Sequence, residues 1–310
     1  MTSLATNDGT SISKFCFGTM QFGGKADEAQ SGEMFAACRE AGINFFDTAF
    51  GYTDGKSERY LGKLAASERE SLFLATKCAH PAPSTPANIT AQFEESMDRL
   101  NMGYVDLLYL HRWDDGTPLE DTFETLAQLV DSGRVRHIGI SNFSAWQTMK
   151  AQAVARSFSL SIAALQPMYN LVKRQAEVEI LPMALSEGFS VFPYSPLGGG
   201  LLTGKYGKGD GGRLVDDPMY KARYAQDWMH DAAIALQEMA ADVGVSPITL
   251  AVAWVARNPG ITAPIISGRT VEQLRPSLDA MTFEMDEALY AQLASLTPTP
   301  PPATDRLEEA

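Results

Sequence analysis

The sequence predicts a (β/α)8 barrel, because short apolar runs recur along the chain and each ends in a polar or aromatic residue. Successive runs end 30, 34, 30, 25 and 28 residues apart, about the length of a strand, a helix and two loops. The residues that end these runs are Asp47, Lys77, His111, Ser141, Gln166 and Tyr194. Functional residues of such barrels lie at the carboxyl ends of the strands, which is where these side chains are expected.

Composition supports one large globular unit. The 310 residues are 45% hydrophobic and 20% charged, and barrels of this kind often exceed 250 residues as one domain. We expect the barrel to span residues 1–296, and the proline-rich residues 297–310 to be extended or disordered. Cys16, Cys38 and Cys78 show no CxxC pairing, so we expect buried thiols, no disulfide and no metal site.

The charge and hydropathy of the chain disfavour nucleic acids and membranes as partners. A net charge of -13 disfavours a nucleic-acid-binding surface, so an anionic ligand requires a local basic patch. Residues 1–10 have neither a charged nor an apolar signal region, and nowhere do 18 apolar residues run together. We therefore expect a cytoplasmic protein that does not enter a membrane.

The apolar runs place the strands in order. They are expected at 14–17, 44–47, 72–77, 105–111, 135–141, 163–166, 190–194 and 263–266. Between them, Met34, Cys38 and Ala41 have helical spacing, and Gly42 is a residue type that commonly ends a helix. The next helices are indicated by Leu61 with Leu64, by Phe93, Met97 and Leu100, by Phe123, Leu126 and Val130, and by the ranges 145–155 and 176–187.

The segment 195–230 interrupts the pattern. It is rich in glycine and charge and too long for a plain βα loop, and such loops are usually functional or disordered. Its central part has a positive excess, with Lys205, Lys208, Arg213, Lys221 and Arg223 against Asp210, Asp216 and Asp217. Helices are then expected at 231–242 and 247–257. A barrel needs only one helix between its seventh and eighth strands, so we expect one of the two to be an insertion. A C-terminal helix is expected from Asp286, with Leu289, Leu293 and Leu296 on one face.

Asp47, Tyr52, Lys77 and His111 form a set suited to proton transfer. A lysine and an aspartate on neighbouring strands are costly to bury unless they pair. A tyrosine has a pKa of about 10, and a nearby ammonium lowers that pKa. We therefore expect Lys77 to lower the pKa of Tyr52, Asp47 to keep Lys77 charged, and His111 to donate a hydrogen bond to a substrate oxygen. This combination suits proton delivery to a carbonyl that accepts a hydride.

Each of the four residues also has an ordinary structural explanation. The aspartate could cap a turn, the tyrosine could edge the core, the lysine could be solvated, and the histidine could be a satisfied core residue. Any one of them alone would favour the structural interpretation. It is their joint placement that favours a catalytic site.

These residues are where the sequence closely resembles the aldo-keto reductase superfamily of NADPH-dependent (β/α)8 barrels, and the resemblance covers nearly the whole chain. The superfamily's catalytic tetrad corresponds to Asp47, Tyr52, Lys77 and His111. The other matching motifs are Gly18-Thr19-Met20, Gly139-Ile140-Ser141-Asn142-Phe143, the run 194–206, and Arg269-Thr270-Val271-Glu272-Gln273-Leu274. The resemblance implies reversible, NADPH-dependent reduction of an aldehyde or ketone to the alcohol, with Tyr52 as the general acid.

The resemblance also implies a cofactor site. Ser141, Asn142 and Gln166 would hold the nicotinamide carboxamide, and Tyr194 would stack on the ring. The stretch 195–205 would cover the pyrophosphate, and Ser267, Gly268, Arg269 and Gln273 would take the 2'-phosphate end. The remaining implied contacts are Gly18, Thr19, Met20, Ser195, Pro196, Leu197, Gly199, Leu201, Lys205 and Ser277, where Ser277 stands in place of the family's usual asparagine at the adenine.

Substrate identity and rival functions stay open at this stage. Phe22, Trp113 and the segment 206–230 are candidates for the substrate wall, and Trp113 indicates either an apolar or aromatic carbonyl compound or simple loop packing. One rival is a cofactor-binding regulatory protein with little turnover, similar to potassium-channel β subunits. The other is a lyase that uses Lys77 to form a Schiff base.

Overall fold

The computed structural model describes residues 4–208, 213–304, 306 and 308, and its eight strands are all parallel. They are β1 (Cys16–Gly18), β2 (Phe45–Asp47), β3 (Phe73–Cys78), β4 (Val105–Leu110), β5 (Val135–Ser141), β6 (Ile162–Gln166), β7 (Ser190–Val191) and β8 (Ile265–Ile266). The strands are hydrogen-bonded in the order β7, β6, β5, β4, β3, β2, β1, β8. The N–H groups of Thr262 and Ile265 donate to the carbonyls of Val191 and Pro193, both at 2.9 Å, and join β7 to β8. The predicted (β/α)8 barrel is confirmed.

Helices surround the strands, and several begin at side chains that cap them. Asp27 and Ser144 each form a capping box with a glutamine three residues later. The helices of the described residues are α1 (Glu28–Glu40), α2 (Lys56–Ala65), α3 (Pro86–Leu100), α4 (Leu119–Asp131), α5 (Ala145–Ser157), α6 (Ile180–Glu187), α7 (Arg213–Asp216), α8 (Pro218–Arg223), α9 (Asp227–Val243), α10 (Pro247–Arg257), α11 (Val271–Asp279) and α12 (Glu287–Ser295). Extra helices therefore follow β7 and end the barrel, as predicted.

Element boundaries differ from the predicted ones in a few places. The predicted helix at 176–187 is divided into a 3-10 turn at Gln175–Glu177 and α6, because Glu179 has a non-helical φ of -134°. Helix α9 begins at Asp227 rather than at 231, and its first turn buries Met229. Helix α10 packs against α11 and takes the barrel position, so α9 is the predicted insertion.

The predicted loop and tail are only partly covered by the described residues. Residues 209–212, which include Asp210, lie outside them, as do 305, 307, 309 and 310 of the tail. In the tail, residues 298–304 form neither helix nor strand. Among the described residues no single helix is long and apolar enough to cross a membrane, and α9 and α10 reach that length only together, across a bend of 98°.

Side chains alternate between the inside of the barrel and the layer under the helices. The interior is filled by Phe45, Phe73 and Phe192. The ring centroid of Phe45 lies 5.0 Å from that of Phe73 and 4.8 Å from that of Phe192. Leu74 and Cys78 point outward into the larger core beneath the helices. Cys78 thus faces away from Lys77, and burial raises the pKa of its thiol to about 12.

A buried ionic cluster closes the amino end of β4. The Asp106 carboxylate is fully buried and pairs with Arg69 at 2.7 Å and with Arg136 at 2.5 Å. It also accepts a hydrogen bond from the N–H of Leu74 at 2.9 Å. Because Arg136 also donates to the carbonyl of Ala5 at 3.0 Å, this cluster ties the N-terminal segment to the barrel.

Candidate active site

The four candidate catalytic side chains meet at the carboxyl end of the barrel. Asp47 is the last residue of β2, Lys77 is in β3, and His111 directly follows β4. Alternation turns all three inward, because Phe45, Phe73, Ala75, Leu107 and Tyr109 of the same strands line the interior. Tyr52 lies on the loop after β2.

Asp47 and Lys77 form a fully buried ion pair. Lys77 Nζ donates to Asp47 Oδ1 and, at 2.7 Å, to the carbonyl of Thr48. Gln166 Nε2 donates to Asp47 Oδ2 at 2.9 Å, so both carboxylate oxygens are occupied. Burial lowers the pKa of Lys77, but Asp47 and Tyr52 raise it by more, and the net direction is upward. Lys77 is therefore an ammonium ion at neutral pH.

This arrangement does not suit a Schiff-base mechanism. The side chain of Lys77 is 0% exposed and does not line the cavity described below. A Schiff base requires a neutral, accessible amine. The hydrogen bonds to Asp47 and Thr48 and the raised pKa both oppose that state.

Tyr52 lies beside the lysine, with Lys77 Nζ 5.1 Å from the centroid of its ring. Lys77 lowers the pKa of Tyr52, as expected, but it does not set the net direction. Burial raises the pKa of Tyr52, and this outweighs the lowering by Lys77, so the net direction is upward. The phenol therefore keeps its proton at neutral pH, which is the state that an acid needs.

The loop that carries Tyr52 is fixed by Arg99 of α3. The guanidinium donates to the carbonyl of Phe50 at 2.8 Å and to the buried carboxylate of Glu58 at 3.1 Å. The other oxygen of Glu58 accepts from the hydroxyl of Thr76 at 2.7 Å. This chain of contacts connects α3, α2 and β3 to the residues just before Tyr52.

His111 completes the group. Its ring centroid lies 6.1 Å from that of Tyr52, in an edge-to-face orientation of 82°. Burial, with Lys77, His80 and Arg112 adding to it, lowers its pKa to about 3. The imidazole is therefore neutral across the physiological range, and a neutral imidazole can donate one hydrogen bond.

A second group of polar side chains lies next to the tetrad, on β5, β6 and the turn after β7. Ser141 Oγ donates to the carbonyl of Gln166 at 2.9 Å, and Tyr194 Oη donates to Asn142 Oδ1 at 2.7 Å. Asn142 Nδ2 donates to the carbonyl of His111 at 2.9 Å. Asn142 has a positive φ of 59°, a conformation that asparagine tolerates better than most residues.

These groups open into one large cavity of about 1060 Å³. Most predicted site residues line it: Gly18, Met20, Asp47, Tyr52, His111, Trp113, Ser141, Asn142, Gln166, Tyr194, Ser195, Pro196, Leu197, Gly199, Lys205, Ser267, Gly268, Arg269, Gln273 and Ser277. Gly200 and Thr203 of the stretch 195–205 also line it. The wall further contains residues that the sequence reasoning missed, namely Gln21, His80, Arg112, Asp115, Gln147, Ile248, Ile265 and Ile266.

Three predicted contact residues do not line the cavity. Phe22, expected in the substrate wall, is 0% exposed and packs against Phe17 with ring centroids 5.6 Å apart. Thr19 is buried, and its hydroxyl donates to the carbonyl of Asp47 at 3.1 Å. Leu201 is buried in the main core. A chain neighbour of each residue lines the cavity, but these three side chains are buried in the packing behind it.

Trp113 and part of the segment 206–230, the other candidates for the substrate wall, line the cavity. Trp113 lines the cavity and also packs edge-on against Phe143, with ring centroids 5.2 Å apart. From helix α8, Met219, Tyr220 and Arg223 face the cavity. Gly199 permits this approach, since its φ is +66° and a Cβ there would lie 2.7 Å from the ring of Tyr220.

The far end of the cavity lies at the start of α11. Ser267 Oγ donates to the carbonyl of Gly18 at 2.8 Å, which fixes the turn after β8 to β1. Arg269 makes no ion pair within the described part of the chain. Ser277 Oγ is buried and has no hydrogen-bond partner among the described residues. With respect to the described residues, this end thus presents Arg269 as an unpaired cation and Ser277 as a hydroxyl without a partner.

The residues present fit a nicotinamide dinucleotide. Lys205, Arg223 and Arg269 line the cavity, so an acidic protein presents a local basic patch that an anionic dinucleotide requires. Asn142 and Gln166 retain acceptor lone pairs that a carboxamide can use. The turns after β7 and β8 are where barrels commonly bind phosphate.

Fold and site together define a (β/α)8 barrel with an acid–base cluster in a cavity that contains a local basic patch. The model of the Aldo/keto reductase family matches residues 14–298, and the chain belongs to that family. Members of the family are oxidoreductases that act on small-molecule carbonyl compounds with nicotinamide cofactors.

Similar proteins match over most of their length. The chain is 36% identical over 315 residues to "Uncharacterized oxidoreductase YrpG" of Bacillus subtilis, and the match covers 94% of each chain. It is 34% identical over 288 residues to aflatoxin B1 aldehyde reductase member 2 of Rattus norvegicus, covering 85% of this chain and 78% of the relative. It is also 32% identical over 292 residues to a probable voltage-gated potassium channel subunit beta of Oryza sativa subsp. japonica, covering 85% of each.

Proposed function

We propose that this protein reduces an aldehyde or ketone to the alcohol with NADPH, and that Tyr52 is the general acid. The observation that carries the proposal is the cluster of Tyr52, His111 and the Asp47–Lys77 pair at one end of the cavity. Family membership supports carbonyl reduction in general. The relative named aflatoxin B1 aldehyde reductase supports an aldehyde or ketone as the substrate.

The side chains divide the proton chemistry between them. When bound, NADPH supplies the hydride that the carbonyl carbon accepts. Tyr52 Oη gives its proton to the carbonyl oxygen, and the ammonium of Lys77 stabilises the tyrosinate that remains. Asp47 keeps that ammonium in place and charged, while neutral His111 donates a hydrogen bond to the same carbonyl oxygen. Transfer of one hydride and one proton completes the alcohol.

The cofactor is held along the rest of the cavity in this proposal. Asn142, Gln166 and Ser141 bind the carboxamide, and Tyr194, oriented by its hydrogen bond to Asn142, stacks on the ring. Lys205 and the turn 195–201 cover the pyrophosphate. Arg269 pairs with the 2'-phosphate, and Ser277 offers its free hydroxyl near the adenine.

The 2'-phosphate assignment predicts a selective loss in an Arg269→Ala variant. A guanidinium binds phosphate strongly, so the dissociation constant for NADPH should rise by about tenfold to a hundredfold. NADH lacks that phosphate, and its dissociation constant should change by less than about threefold. Fluorescence titration with both nucleotides measures the two values.

Lys221→Ala is the matched control, because Lys221 is an exposed cation of α8 outside the cavity wall. It should leave both dissociation constants unchanged. Equal weakening of NADPH and NADH by Arg269→Ala would refute the assignment.

The overall proposal is tested by NADPH oxidation with a panel of aldehydes and ketones. We expect turnover with at least some of them. The second candidate is a cofactor-binding regulatory protein with little turnover, which the similarity to probable potassium channel β subunits favours. Tight NADPH binding without oxidation by any compound would support that candidate instead.

A further inference from the structure

The cavity wall next to His111 contains a cation that the proposed chemistry does not use. Arg112 follows His111 directly, is exposed and lines the cavity. Its guanidinium forms no hydrogen bond or ion pair with any residue that the structure describes. Its positive charge lies near both imidazoles, because it helps to lower the pKa of His111 and of His80.

His80 provides a neutral donor on the same wall. Its ring centroid is 5.2 Å from that of His111. The Nδ1 atom is buried without a partner among the described residues, whereas Nε2 is not enclosed in this way. Burial lowers the pKa of His80, so the ring is neutral and has one N–H. That proton is best placed on Nε2, where water or a ligand can accept it.

No carboxylate among the described residues forms an ion pair with Arg112. Asp115 also lines the cavity, but it accepts a hydrogen bond from Trp113 Nε1 and does not pair with Arg112. Asp47 is engaged by Lys77 and Gln166. Among the described residues of this wall, Arg112 is thus a cation without an ion-pair partner, and His80 Nε2 is a hydrogen-bond donor without an acceptor.

We propose that Arg112 and Nε2 of His80 form a carboxylate subsite, so that the preferred substrates are aldehydes or ketones that also carry a carboxylate. A guanidinium binds a carboxylate through two parallel hydrogen bonds, and His80 can donate a third. The subsite determines specificity and takes no part in hydride or proton transfer. It rests on the proposed carbonyl reduction and adds the substrate class to it.

The test compares acids with their methyl esters. We would measure kcat/KM with NADPH for 3- and 4-carboxybenzaldehyde, for their methyl esters and for benzaldehyde. The parent protein should prefer at least one acid over its ester by about tenfold or more, as expected for a charge-assisted pair. Arg112→Gln should abolish that preference by lowering kcat/KM for the acid alone, and Arg112→Lys should restore part of it.

Lys150→Gln is the matched control. Lys150 is also an exposed cation, with Nζ 6.0 Å from the centroid of Trp113, but it does not line the cavity. Its loss should leave the preference intact. Equal kcat/KM for acids and esters in the parent, or equal losses for both in Arg112→Gln, would overturn the subsite while leaving carbonyl reduction in place. Absence of turnover with every compound would overturn the proposed function, and the subsite with it.

Discussion

Replacing Tyr52 with phenylalanine should lower kcat for carbonyl reduction by about 10² to 10⁴-fold, the usual contribution of a general acid. The variant retains the ring that lies near Lys77 and loses the hydroxyl whose proton the carbonyl oxygen receives. NADPH binding should therefore remain close to that of the parent. Steady-state turnover at saturating substrate, together with a binding titration, separates the two effects.

Tyr104→Phe is the matched control for this change. The Tyr104 hydroxyl donates a hydrogen bond to Glu70 at 3.2 Å, and the residue precedes β4 at the opposite end of the barrel. Turnover should be unchanged in this variant. If Tyr52→Phe kept kcat within about twofold of the parent, another group would have to supply the proton.

The second large effect is expected for Lys77→Met, on stability as well as activity. The change leaves the Asp47 carboxylate buried without its partner, and breaking a buried pair in this way costs about 3 to 5 kcal/mol. It also removes the charge that favours the tyrosinate, so kcat should fall. Denaturant unfolding monitored by circular dichroism measures the loss of stability.

A double variant tests whether the unpaired Asp47 carboxylate causes the loss of stability in Lys77→Met. Adding Asp47→Asn to Lys77→Met removes the unpaired charge, so the double variant should be more stable than Lys77→Met alone. Lys63→Met breaks the exposed pair with Glu28 and should leave the unfolding midpoint unchanged. A Lys77→Met variant as stable as the parent would show that the buried pair does not stabilise the fold.

The positions of the tetrad could be read from the sequence because strand geometry is regular. Alternation along β3 turns Lys77 inward and Cys78 outward, and the repeat length brings Asp47 and His111 to the same end. Gln166 and Ser141 follow from the same rule, since each is the last residue of its strand.

The rest of the cavity depends on contacts that local sequence does not specify. Tyr220 and Arg223 reach the site only because α8 folds back over Gly199. Phe22 directly follows a residue that lines the cavity, yet its own ring is fully buried in the core. Burying an aromatic ring stabilises the fold more than exposing it in the cavity wall would. The net shift in the pKa of Tyr52 is upward because burial raises it by more than Lys77 lowers it. That burial depends on the surrounding barrel, which the local sequence does not specify.

The position of the His80 side chain could not be predicted from the sequence either. It lies three residues after Lys77, in a turn beyond the strand, where alternation no longer fixes the direction of a side chain. Only the structure brings its ring to 5.2 Å from His111. A histidine just beyond a catalytic strand was the available signal, but by itself it does not distinguish a cavity residue from a surface residue.

The most direct test of the central claim is transfer of label from cofactor to product. The protein would be incubated with an accepted aldehyde and NADPH that carries deuterium at both C4 positions. Mass spectrometry of the alcohol should show one deuterium on the carbinol carbon for each NADPH oxidised, and Tyr52→Phe should form almost none of this product. Oxidation of NADPH without deuterium in the alcohol would contradict hydride transfer at this site.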